Sequence, residues 1–191
     1  MKALQTSDSS IGATLLALAR AQLEKGGAEV ASPHFGDDWL SQTGACFVTL
    51  RAKGELRGCI GSVRAYRSLG EDVVSNTHAA AFRDPRFAPV ERSELAGIEI
   101  EVSVLSPMEQ LEVTSESDLL EVLQPGIDGL MIEFDNHRGT FLPAVWRDLP
   151  KPKQFLTRLK VKAGLAGDFW SEDLVIWRYT TDSFKESRQA D

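Results

Sequence analysis

Apolar and polar positions change period several times along the chain, and each change predicts an element. Ile11, Leu15, Leu18 and Ala19 recur at helical spacing behind Ser9 and Ser10, either of which can cap a helix; Gly26-Gly27 ends it near Lys25. A loop follows through Pro33 and Gly36, anchored by Val30, Phe35 and Trp39. Cys46 to Leu50 is apolar and β-branched, Ala52-Lys53-Gly54 reads as a turn, and Glu55 to Ile60 returns as the partner strand. Ser68 and Glu71 give the S-x-x-E signature of a helix start. That helix carries Leu69, Val73, Thr77 and Ala80 on one stripe to about Phe82, and Pro85 biases Asp84 out of it. Ile98, Ile100, Val102 and Val104 alternate with Glu99, Glu101 and Ser103, as in a half-buried antiparallel strand.

Ser117 is expected to start a short helix through Leu119, Leu120 and Leu123. Leu130 to Phe134 and Thr140 to Leu142 read as strands joined by residues 135–139. Pro152 lies near the start of a helix through Phe155, Leu156, Leu159 and Ala163, with Gly164 just past its end. Leu174 to Tyr179 is the last strand expected. Residues 1–10 and 181–191 read as flexible tails around a domain at 11–180. The short turns require antiparallel neighbours, because parallel strands need long crossovers. The expected class is therefore α+β, a mainly antiparallel sheet flanked by helices.

Composition narrows this picture. At 191 residues and 42% hydrophobic, the chain suffices for one domain, or a domain with a smaller lobe. No apolar run reaches the length of a membrane span, and the first helix reads as amphipathic rather than as a signal peptide. A net charge of −7 disfavours non-specific DNA or RNA binding. Two cysteines, Cys46 and Cys59, are too few for a disulfide framework or a four-thiolate zinc site, and predict a reduced, cytoplasmic setting without a disulfide. His34, His78 and His137 are scattered, so no metal site is expected. Neither a P-loop nor a dinucleotide fingerprint occurs.

The candidate chemistry gathers in Leu56-Arg57-Gly58-Cys59-Ile60-Gly61. Strand alternation places Arg57 and Cys59 on one side. Cys59 is the candidate catalytic thiol, against the bland account of a small residue packed at a strand end. Arg57 and Arg86 are candidate anion-binding groups, and Gly58 and Gly61 candidate ligand-facing backbone; the bland accounts are a surface ion pair and a β-bulge. Asp84 is a candidate catalytic proton-transfer group; otherwise it orients Arg86 toward the same ligand as Arg57, or simply holds its loop. His78 is a candidate general base, with Glu101 as a further acid–base group or a solvated side chain. Cys46 reads as core.

Six further stretches accompany that hexapeptide: Phe47 to Leu50, Ala80 to Phe87, Glu101 to Ser106, Asp128-Gly129-Leu130, Phe141-Leu142-Pro143 and Lys162 to Leu165. In this order and spacing the chain resembles the AMMECR domain family, also called AmmeMemoRadiSam system protein A, from about Ile11 to Tyr179. The resemblance implies an α+β fold with a smaller lobe, and Memo-type and radical-SAM proteins as partners. Its reaction is not established; an enzymatic role and a role in nucleotide or RNA metabolism are both suggested. One position departs from the pattern, Ala144 standing where the family usually has glutamine. Two readings result. One is an enzyme or catalytic subunit acting on a small anionic or nucleotide-like substrate through Cys59. The other is a non-catalytic module that binds a nucleotide, RNA or protein.

Overall fold

The structure, a computed structural model, describes residues 9–26 and 39–186. The expected anchors Val30 and Phe35, and His34, lie outside the described residues. In chain order the elements are α1 (Ser9–Glu24), β1 (Thr43–Gly44), β2 (Cys46–Ala52), β3 (Glu55–Gly61), β4 (Arg67–Ser68), α2 (Leu69–Phe82), β5 (Ile98–Leu105), β6 (Glu109–Gln110), α3 (Glu116–Val122), β7 (Gly129–Phe134), β8 (His137–Phe141), α4 (Pro152–Lys162), β9 (Val175–Tyr179) and β10 (Thr181–Lys185). Short 3-10 turns occupy Arg92–Gly97 and Pro143–Arg147. They form two compact units, one from the residues before 106 together with those after 181, the other from residues 106–181. Helices and antiparallel sheets make this the α+β class that the periodicities predict. Among the described residues no helix is long and apolar enough to cross a membrane.

The first unit is built on a four-stranded sheet of order β10-β5-β2-β3. β2 pairs antiparallel with both β3 and β5, and a bulge at Leu50/Arg51 interrupts the β2–β3 register. Lys53 and Gly54, both at positive φ, turn the hairpin between them. Cys46, Val48 and Leu50 share one face with Ile98, Ile100, Val102 and Val104, all buried, and the stripes of α1 and α2 pack with them. Burying such aliphatic side chains contributes roughly 1.5–3 kcal/mol each. Thr49, Arg51, Glu99 and Glu101 point to the opposite, half-buried face. The S-x-x-E signature is realised in full: Ser68 Oγ accepts from the Glu71 N–H, and the Glu71 carboxylate accepts from the Ser68 N–H.

The second unit is a four-stranded sheet of order β6-β9-β7-β8 with α3 and α4. Its core includes Leu119, Leu130, Ile132, Phe155, Leu159 and Ile176, with the Trp146 ring stacked on Phe155 at 3.9 Å.

Three local expectations are corrected. The short helix α3 is capped by Ser115, whose Oγ accepts the Asp118 N–H, and not by Ser117. The β7–β8 hairpin closes through only Asp135-Asn136, because Asp135 adopts φ +49. Residues 181–185, expected in a polar tail, form β10 at the sheet edge. Phe184 tucks against Gly12 of α1, and Glu186 then accepts from Arg20 and the Ile100 N–H. TDSFK lacks a continuous β-branched pattern, so the strand comes from these partners rather than from propensity.

Candidate functional site

The hexapeptide lies on β3, an edge strand, and most of it is used to hold the fold. Gly58 is covered by α2: a Cβ there would run into the Ala80 carbonyl. Gly61 lies under the Phe47 ring in the same way. Ile60 packs against the core of the first unit. Arg57 Nε and Nη2 donate to the two carboxylate oxygens of Glu94 at 2.8 and 3.0 Å. Its Nη1 and Nη2 also donate to the carbonyls of Ala88 and Pro89 at 2.8 and 3.3 Å. Glu94 raises the Arg57 pKa, chiefly by accepting those bonds. The residues expected as an anion clamp and as ligand-facing backbone thus each make contacts within the fold. Arg57 ties β3 to residues 88–94, and the glycines admit a helix and a ring.

Cys59 differs. Its neighbour Gly58 faces α2, so by alternation its own side chain faces away. It is half-buried and outside the hydrophobic core that contains Cys46. Its Sγ accepts a hydrogen bond from Thr49 Oγ1 at 3.4 Å. Thr49 is its register partner on β2, and Glu101 is the register partner of Thr49 on β5.

The loop after α2 closes on the peptide of Cys59 from outside the sheet. Asp84 Oδ2 accepts the Cys59 N–H at 2.9 Å, and Arg86 Nη2 donates to the Cys59 carbonyl at 2.9 Å. Asp84 and Arg86 are themselves joined twice, Nε to Oδ1 at 2.9 Å and Nη2 to Oδ2 at 2.6 Å. The pair therefore supplies one acceptor and one donor where a further strand would, which blunts an edge that could recruit another chain. The Arg86 guanidinium, helped by the Cys59 and Arg86 N–H groups, holds the Asp84 carboxyl well below the usual carboxylate range. Asp84 in turn raises the Arg86 pKa, chiefly by accepting its hydrogen bonds. The guanidinium thus reaches the peptide of Cys59 from the sheet edge.

This geometry sets the sign of a pH effect. A carboxyl depressed in the folded state stabilises above its unfolded pKa, and that contribution is lost as pH falls toward its folded value. Asp84→Asn should cost about 2–3 kcal/mol at pH 7, the scale of hydrogen bonds to a charged group. The deficit should shrink as pH falls below about 4. Urea denaturation of both proteins between pH 7 and pH 3 checks this; a deficit that stays constant over that range contradicts it.

His78 is not brought to the thiol. It lies on α2, 9% exposed, with its ring 5.2 Å from that of Phe82, on the helix side of the sheet. Glu101 is on the same face as Cys59, and its carboxylate makes no hydrogen bond or ion pair with any described residue. Ala144 lies in the 3-10 turn of the second unit. Among the described residues no group of three His, Cys, Asp or Glu side chains could hold a metal ion.

A second polar cluster escapes the sequence reading. Asp72, 0% exposed, accepts from Ser62 Oγ, Arg67 Nε, the Cys46 N–H and Asn76 Nδ2, all within 2.6–2.9 Å. Asn76 Nδ2 also donates to the Cys46 carbonyl at 3.0 Å. Burial, more than the nearby Asp72 charge, pushes the Cys46 thiol well up from its ordinary pKa. The pattern Asp-x-x-x-Asn on a buried helix face is the only local signal for this cluster, and it does not name the partners.

The AMMECR1 family model matches residues 16–184. A protein of Methanothermobacter thermautotrophicus is 37% identical over 180 residues, 92% of this chain and 94% of its own. A protein of Methanocaldococcus jannaschii is 38% identical over 149 residues, 74% of this chain and 72% of its own. The crystal structure of an uncharacterised protein from Pyrococcus horikoshii is similar with a TM-score of 0.84 at 33% identity, covering 92% of this chain and 91% of that one.

Proposed function

The chain belongs to the AMMECR1 family, and on that premise we propose that it is an enzyme, or the catalytic subunit of one, that uses the Cys59 thiol on a small anionic or nucleotide-like substrate. The observation that carries this reading is one of use. Arg57, Gly58, Ile60 and Gly61 each have a side chain, or a missing one, that the fold requires. The fold uses the Cys59 peptide, through Asp84 and Arg86, but leaves its thiol half-buried beside the Thr49 hydroxyl, with the Arg86 guanidinium on the carbonyl of the same residue. A thiolate is the nucleophilic form of cysteine, and an accessible thiol can supply it. The Arg86 side chain is 51% exposed and its Nη1 bonds to no described residue, which leaves a donor for an anionic group. Asp84 acts here by positioning Arg86 and the Cys59 peptide.

The commitment of Arg57 to Glu94 favours the second reading, a non-catalytic nucleotide-, RNA- or protein-binding module working with Memo-type and radical-SAM proteins. Alkylation separates the two. With iodoacetamide at pH 7.5, the enzyme reading expects one thiol, Cys59, to react in the native protein and Cys46, 0% exposed, only after denaturation. Peptide mass spectrometry identifies the labelled residue. A Cys59 shielded until the protein unfolds supports the module and removes the thiol reading.

A further inference from the structure

A reactive thiol needs somewhere to send its proton, and three carboxyl or imidazole groups are candidates by sequence. The structure removes two. His78 belongs to the helix side of the sheet, whereas Cys59 faces the other side. Asp84 is 4% exposed and accepts four bonds, from the Arg86 N–H, Nε and Nη2 and from the Cys59 N–H. A carboxylate saturated in this way has no free lone pair directed at the thiol.

The third candidate is Glu101. Thr49 is directly opposite Cys59 on one side and directly opposite Glu101 on the other. Such cross-strand neighbours have Cβ atoms about 4.5–5.5 Å apart, within reach of a hydroxyl and a carboxylate. The other charged groups on this face are already occupied. Arg51 Nη1 donates to the Gly54 carbonyl, and Lys185 of β10 pairs with Glu99 at 3.4 Å. At the outer edge Arg86 is bound to Asp84. Glu101 is the carboxylate on the face with no partner among the described residues.

We propose that Glu101 accepts the proton of Cys59 through the Thr49 hydroxyl, so that three neighbouring strands carry one relay. This rests on the reading of Cys59 as the reactive thiol. The thiol proton passes to Thr49 Oγ1 while the proton of Thr49 passes to the Glu101 carboxylate. The electron pair of the S–H bond stays on Sγ, Thr49 ends unchanged and Glu101 ends neutral. Thr49 Oγ1 lies 3.4 Å from Sγ, so the first leg of the relay is already in place.

The test is the pH profile of Cys59 alkylation by iodoacetamide from pH 5 to 10, read at the Cys59 peptide by mass spectrometry. It is run on the full chain and on Glu101→Gln, Glu101→Asp, Thr49→Val and Thr49→Ser. The relay predicts that at pH 6 Glu101→Gln and Thr49→Val react at least about tenfold more slowly than the unaltered protein, within the scale of general base contributions. Rates at pH 10, where hydroxide takes the proton directly, should agree within about twofold. Glu101→Asp and Thr49→Ser should recover part of the pH 6 rate, which a merely structural role would not produce. If Glu101 acts only as a nearby negative charge, Glu101→Gln speeds the reaction at pH 6, and the relay is overturned. Superimposable profiles overturn it too, while leaving the thiol reading standing. A Cys59 that reacts only after denaturation removes both.

Discussion

Asp72→Ala is expected to lower stability by about 3–5 kcal/mol, the usual result of removing one partner from a buried, hydrogen-bonded ion pair. The carboxylate is 0% exposed and is the common acceptor for four donors on four different segments. Its loss leaves the Cys46 N–H, the Ser62 hydroxyl and Arg67 Nε without their acceptor inside the protein. Each orphaned neutral donor costs about 1–3 kcal/mol. Arg67, with 23% of its side chain exposed, can partly re-solvate, which keeps the total in the stated range. Asp72→Asn should recover little, because an amide nitrogen would face donors. For a chain of this length 1 kcal/mol corresponds to roughly 2–4 °C, so calorimetry should show a fall of at least about 6 °C in Tm. A shift under 2 °C would mean that the cluster contributes nothing net.

Gly58→Ala is the second large effect. The new Cβ would overlap the Ala80 carbonyl, and both atoms belong to backbone, so no rotamer change relieves the clash. α2 must move away from β3, or β3 must bend. Overpacking of this kind costs typically 1–3 kcal/mol and sometimes more. We expect at least about 3 kcal/mol, because α2 also carries Asp72 and leads into the loop of Asp84, and these are fastened to Cys46 and Cys59. A displaced α2 pulls on both clamps. Gly97→Ala is the matched control, since nothing lies within 4 Å of its Cβ position. Urea denaturation of the pair should separate them by at least about 2 kcal/mol; equal stabilities would refute the close-contact account of Gly58.

The same residues show why some of this was legible in the chain and some was not. The β2–β3 hairpin, the alternation of β5 and the capping box of α2 are local: period, turn and cap each lie within a dozen residues. Alternation would put Cys59 and Arg57 on one side of their strand, but a β-bulge at Arg57, which no local signal announces, interrupts the period there. It could not show that Glu94 takes up Arg57, because that partner is 37 residues away and one glutamate among many. Gly58 and Gly61 read equally well as ligand-facing backbone until the helix and the ring beside them were known. His78 was judged by its distance along the chain from Asp84, which says nothing about the side of a sheet. β10 was missed because its five residues lack strand propensity, and pairing with a distant strand decided the matter.

The position of β10 has a consequence for how the protein is made. β10 borders β5 in the sheet, yet residues 106–181 form a whole second unit between the two in the chain. During synthesis β5 emerges and pairs with β2, but its outer edge has to wait for the last strand. At the usual rate of about 5–20 residues per second, those roughly 75 intervening residues take about 4–15 s. For that time the nascent chain presents the open flank of β5 to the ribosome's surroundings, and a stalled or truncated product ending before residue 181 never closes it. The second unit, whose strands are all encoded within the insertion, can complete its own hydrogen bonds first, so the order of completion in the cell runs opposite to the order in which the two units begin.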